Sequence, residues 1–182
     1  MKSYSDRKAL TVAERLELWK KHNLYRAKVR RGEIEDEPPA ESLPMLRWNR
    51  TLGRLAQQWA VHCRFEHEPN QETGENLAFA TYRDWDPLKA WFDEHVNYTY
   101  GRFPKHVRKN IAHYTQLVWA ETRSVGCHIE KCSKLHTKDG IVKNAYYTVC
   151  KYWPPGNYVG EYPYVRSRKR RSRSHWSGRG EQ

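Results

Sequence analysis

The chain has 182 residues, with 33 Lys and Arg against 21 Asp and Glu, for a net charge of +12. A mean hydropathy of −1.02, with no apolar run near the ~20 residues that a bilayer crossing needs, excludes a membrane-embedded body. Aromatic residues at 13%, among them eight Trp and twelve Tyr, exclude a disordered polyelectrolyte and point to one domain with a single core.

The opening MKSYSDRKALTVAERL contains no apolar h-region. It starts either an intracellular protein or a mature form whose secretory signal has been removed. Residues 1–8 read as an extension. Residues 11–31 predict a helix: Thr11 and Glu14 form a capping box, and Val12, Leu16, Trp19, Asn23 and Arg26 follow a helical stripe up to Gly32. EIEDEPPAESLP is then an acidic, proline-bearing loop. Leu52, Leu55, Ala56, Trp59, Ala60 and Cys63 lie on one face of a second helix that ends between Phe65 and His67. ENLAFAT reads as a strand. Asp86 before Pro87 is an N-cap followed by proline at the first helical position, with Leu88, Trp91, Phe92 and His95 on one side of that helix.

HYTQLVWAE spans about two helical turns. SVGCHIEKC and AYYTVCKYW are β-rich runs separated by a loop containing Asp139-Gly140. Helices first and an antiparallel pair later give an α+β chain, with helices packed on a small sheet. From Arg166 onward seven basic residues stand against one acidic, half of the net charge. This stretch reads as a solvated, disordered tail. Its sharper readings are attachment to heparin, nucleic acid or an acidic membrane through Arg168, Lys169, Arg170, Arg171 and Arg173, or processing at RKRR.

Four cysteines, Cys63, Cys127, Cys132 and Cys150, admit three pairings, and their spacing chooses none of them. Cys127 and Cys132 do not make a CxxC zinc knuckle. The sequons at Asn49 and Asn97 are candidate glycosylation sites. Among nine histidines, His62, His106, His136 and His175 read as loop, surface or tail residues. His67, between Glu66 and Glu68, and His113, in an aromatic run, differ from these, yet 46 positions apart they form no local metal signature.

HYTQLVW together with YYTVCKYWPPGNY resembles the two signature blocks of the CAP superfamily of cysteine-rich secretory proteins, antigen 5 venom allergens and plant pathogenesis-related proteins. HNLYR, WNRTLGRLAQQWAVHCRFEH, GENLA and AWFDE resemble the family's other blocks, in order, and the likeness covers residues 9–164. The tail, 165–182, lies outside it. Two positions depart from the family pattern. Ala112 stands where glycine or a charged residue is usual, and Lys151 where Asn, Gln, Arg, His or Ser is usual.

The resemblance implies a three-layer α-β-α sandwich around a cleft. It carries the cleft residues over to His67, Glu75, Glu94 and His113, a donor set suited to Zn²⁺ or a similar divalent ion, which would not be obligate. It also implies bridges Cys63–Cys132 and Cys127–Cys150, and therefore secretion. By likeness to the family, the function is binding of a small sterol or fatty-acid-like lipid and of partner proteins. Phe79, Tyr82 and Trp85 are the residues to touch the lipid, while Trp91 and Phe92 fill the core. The alternatives are a metal-dependent hydrolase with Glu75 or Glu94 as base, and a polyanion binder acting through the tail.

Overall fold

The structure, a computed structural model, describes residues 10–107 and 110–168. The extension and most of the tail, with Lys169, Arg170, Arg171 and Arg173, lie outside the described residues.

Helix α1 spans Val12–Arg30 and starts at the complete capping box of Thr11 and Glu14. Its buried face runs through Leu18, His22, Asn23, Tyr25, Arg26 and Val29, while Val12 and Leu16 are exposed. The stripe expected from the sequence is therefore turned, because three of the buried positions carry polar side chains that find partners inside. Strand β1 is the pair Arg47–Trp48. Asn49 then caps α2, Arg50–Ala60, by accepting from the amides of Thr51 and Leu52.

Helix α2 stops short of the expected end between Phe65 and His67. Cys63 turns the chain at φ +50°. The Phe65 amide then donates to the His136 carbonyl, and the His136 amide to the Cys63 carbonyl. Bonds to a strand over seventy positions away replace the next helical turn.

Strand β2 is Gly74–Ala80. Helix α3, Pro87–Asp93, begins with Asp86 accepting from the Lys89 amide and runs into a 3₁₀ turn at Glu94–Asn97. Helix α4 is Ala112–Leu117. Strands β3, Ser124–Thr137, and β4, Gly140–Trp153, form one long hairpin joined at Lys138-Asp139, longer on both arms than the sequence suggests.

The sheet order is β1-β3-β4-β2, antiparallel except for the β1–β3 pair. Helix α2 covers one face, packing Ala56 and Ala60 against Leu77, Tyr147 and Val149 of the sheet. Helices α1, α3 and α4 cover the other with Leu18, Tyr25, Leu88, Trp91, Tyr114, Leu117 and Tyr152. The chain is α+β in three layers.

The first turn of α2 lies directly on β3, where a Cβ at Gly126 would stand 2.2 Å from the Gly53 nitrogen. Disulfides join Cys63 to Cys132 and Cys127 to Cys150, the pairs that the resemblance implies. The first ties the end of α2 to the sheet and the second crosses between β3 and β4. By the chain-entropy account each contributes about 3 to 4 kcal/mol through the unfolded state.

Candidate functional site, a cleft of two imidazole–carboxylate pairs

The cleft opens at the Gly74 end of β2. It has a volume of about 230 Å³ and is lined by His67, Gln71, Glu75, Asn76, His113 and Gln116 among others. Gly74 admits the Gln116 side chain, since a Cβ there would meet its Oε1 at 2.2 Å.

Successive residues of β2 point to opposite faces of the sheet, so Glu75 and Asn76 serve different halves. On the α2 side, Glu75 is buried. Its Oε1 lies 2.7 Å from His67 Nδ1 and accepts from the Glu68 amide and Gln71 Nε2, both at 3.2 Å. Its Oε2 lies 2.5 Å from Lys151 Nζ, an ion pair and not an aligned hydrogen bond. Lys151 is the register partner of Glu75 on β4 and is fully buried. Its ammonium also donates to Glu68 Oε2 and Gln71 Oε1, both at 2.6 Å. Burial pushes the Glu75 carboxyl up. The hydrogen bond to His67 and the close charge of Lys151 outweigh that, and its pKa falls below the usual carboxylate value.

On the other side, His113 opens α4. Glu94 reaches it from the 3₁₀ turn: Oε1 lies 2.7 Å from His113 Nδ1, and Oε2 accepts from the amides of His113 and Tyr114 at 3.0 and 3.2 Å. Ile111, at the cap position, supplies no side-chain bond, so Glu94 is the cap of α4 as well as the partner of His113. The His113 ring stacks on Trp91 at 5.9 Å.

Behind it runs a buried chain of bonds. Asn76 Nδ2 donates to the His113 carbonyl at 3.1 Å and to Tyr152 Oη at 3.3 Å, and Tyr152 donates to His22 Nε2 at 2.9 Å. His22 Nδ1 donates to the Leu18 carbonyl at 2.7 Å. Burial, helped by the Arg26 charge, pushes His22 down to about 4 against the pull of the Leu18 bond. His22 is thus a neutral spacer. The Arg26 guanidinium donates to the carbonyls of Leu117 and Trp119, groups that the end of α4 leaves open. Burial and Arg123 push its pKa down to about 9. Asn157 fastens α4 from the C-terminal side, donating to the Ala112 carbonyl and accepting from Thr115 Oγ1.

The matched family profile, described as the cysteine-rich secretory protein family (CAP), spans residues 19–152. The chain belongs to this family. It is 37% identical over 170 residues to venom allergen 5 of Vespa velutina, covering 85% of this chain and 80% of that protein. It is 36% identical over 158 residues to peptidase inhibitor 15-A of Danio rerio, covering 79% and 58%. Among solved structures, NaASP2 with Zn²⁺ superposes with a TM-score of 0.76 at 27% identity, covering 87% of this chain and 88% of that one. Venom allergen-like protein 4 of Schistosoma mansoni superposes at 0.69 and 27%, covering 87% and 97%.

The CAP cleft here presents two separate His–Glu pairs. Among the described residues, the one set of three metal-type donors within 4.8 Å of one another is His22, Cys127 and Cys150. Those sulfurs form a disulfide and both His22 nitrogens are bonded, so it holds no ion. In the cleft, the Nδ1 atoms and the carboxylates are spent on each other, which leaves the two Nε2 atoms as donors. Neutral imidazoles backed by carboxylates suit a divalent ion.

The three residues expected to touch lipid lie in different settings. Phe79 packs edge-on against Phe65 at 4.8 Å in the α2-side core. Tyr82 is 60% exposed. Trp85 lines a cavity of about 230 Å³ walled by the ion pairs of Lys21 with Glu17 and Asp86 and of Arg83 with Glu14. Trp91 and Phe92 are buried in the core. Asn49 uses its side chain as the α2 cap, while Asn97 is exposed and donates to the Asn110 carbonyl. Arg168 is exposed.

Two features escape sequence reasoning. Lys151 reads there only as a departure from the family pattern. A largely apolar groove of about 240 Å³ lies between α1 and residues 43–45, walled by Trp19, Leu24, Ala27, Leu43 and Met45, with Lys20 and Arg30 beside them. Leu24 and Met45 are about half exposed, at 48% and 58%.

Proposed function

We propose that this chain is a secreted, disulfide-braced binding protein that carries a small lipid of the sterol or fatty-acid class. The observation that carries this reading is the groove between α1 and residues 43–45. It combines an apolar wall with Lys20 and Arg30 in its lining, side chains whose charge would suit a carboxylate head. Two cystines and the absence of free thiols among the described residues favour an oxidising compartment. No described helix is long and apolar enough to cross a membrane.

The cleft supports binding over hydrolysis. A hydrolase needs a carboxylate free to take a proton from water. Glu75 gives its oxygens to His67 and Lys151, and Glu94 gives both of its oxygens to the start of α4. A divalent ion, where bound, would take Nε2 of His67 and His113 and supply positive charge for anchoring a ligand oxygen. Glu75 and Glu94 fix the rings for that purpose.

An organic extract of the purified protein should contain lipid by mass spectrometry. Leu24→Asp and Met45→Asp should empty it without lowering the thermal midpoint. A clean extract, together with no uptake of a fluorescent sterol or fatty acid, overturns the reading. Loss of lipid in Tyr82→Ala with Trp85→Ala, but not in the groove variants, moves the ligand to the loop after β2.

A further inference from the structure

A second cavity, of about 300 Å³, lies where the starts of α1 and α2 meet β3. It is lined by Arg15, Trp48, Arg50, Arg54, Gln57 and His128 among others. Three guanidinium-bearing side chains from two helices converge on one concavity with no carboxylate in its wall. Among the described residues none of the three arginines pairs with an acid. Arg54 reaches only Thr51 Oγ1, at 3.4 Å, and Glu130 is turned to His128 Nε2 at 3.1 Å.

The convergence is imposed by packing. The first turn of α2 is pressed onto β3 at Gly126, and Asn49 fixes where that helix begins. Arg50 and Arg54, one turn apart on α2, therefore flank the same opening, and Arg15 faces them from α1. Like charges around a concave, partly apolar wall focus positive potential there. The planar fork of arginine matches tetrahedral oxyanions, and the positive end of α2 adds to the field. Trp48 supplies an apolar surface for an organic body.

We propose that this cavity binds the phosphate or sulfate head of a small organic monoester. It is distinct from the His/Glu cleft and from the apolar groove, and does not depend on either. Its ligand is a compact oxyanion rather than a long polyanion, because the three cations line one concave volume instead of forming a track.

Titration calorimetry on the full chain with phenyl phosphate and phenyl sulfate should give one site per chain. Arg15→Ala, Arg50→Ala and Arg54→Ala should each weaken it by about tenfold or more, as loss of a charge-assisted bond does. Arg50 and Arg54 are exposed, so their variants should keep the wild-type thermal midpoint. Arg170→Ala with Arg171→Ala, a change in the basic tail, should leave affinity unchanged.

Phosphatidylcholine vesicles with and without phosphatidic acid separate the sources. Retention on phosphatidic acid that is lost in the same arginine variants supports the site with a lipid head as its source. No heat with either ester and no vesicle retention overturns the proposal. So does a loss that follows the tail variant instead of the cavity variants. Retention on heparin without ester binding also overturns it, in favour of a polyanion.

Discussion

The two halves of the cleft reach the same end, an imidazole whose Nδ1 is held by a carboxylate, by different physics, and the divergence begins between adjacent residues. Glu75 faces the α2 side and meets a buried ammonium, so that half is held by charge. Asn76 faces the α1 side and meets a tyrosine, a neutral histidine and a backbone carbonyl, so that half is held by dipoles and by a helix start. Charge held in a dry site is strong when complete and costly when one partner is missing. A network of neutral groups degrades in smaller steps.

The largest effect should therefore follow removal of Lys151. Lys151→Met leaves Glu75 buried with only the hydrogen bonds of His67, Gln71 and the Glu68 amide, and should cost about 3 to 5 kcal/mol in chemical denaturation. The deficit should shrink as acid protonates Glu75, and Lys151→Met combined with Glu75→Gln should recover much of it. An unchanged midpoint in the single variant would show that the ammonium is not what holds this half.

How far the sequence discloses these halves differs in the same way. Thr11 with Glu14, and Asp86 with Pro87, are legible because a cap involves residues three apart. The buried face of α1 is legible only in part: Asn23 and Arg26 fall on the predicted stripe, but His22 does not, and what these polar groups do inside depends on partners at Tyr152, Leu46 and Trp119 that lie far along the chain. The end of α2 hides for the same reason, since it is decided by bonds to His136. His67, Glu75, Glu94 and His113 are found by resemblance, not by spacing. Lys151 takes its meaning from a β2–β4 register that no local pattern prints. The apolar groove needs Leu43 and Met45 to come back onto α1, and the arginine cavity needs two helix starts to meet.

A smaller, pH-dependent effect should mark the neutral half. The folded pKa of His22, about 4, lies below its ordinary 6.5. Its contribution is whole above 6.5 and is lost as pH falls toward 4, where the loss levels off. Between pH 7 and pH 5 this amounts to about 2 kcal/mol. His22→Gln should flatten that limb of the stability profile. The Glu75 carboxyl, with its lowered pKa, acts in a separate window: its stabilisation is present above the ordinary carboxylate value and is lost in stronger acid. Two resolved acid limbs, each removed by its own variant, would separate the halves in one titration.

The smallest effect should come from Glu94, and it tests whether one carboxylate does two jobs. Glu94→Ala strands the amides of His113 and Tyr114, which have no other cap, and should cost about 1 to 2 kcal/mol. Hydrogen exchange should quicken at those two amides and not at Glu68, whose amide is bonded to Glu75. Glu94→Gln keeps one acceptor and should recover part of the stability. In zinc titrations both variants should bind about tenfold more weakly, because the His113 ring loses the carboxylate that orients it. A stability loss with unchanged zinc affinity would reduce Glu94 to a helix cap. Weakened zinc binding with full stability would place the α4 start under the control of Asn157 and Asn76 alone.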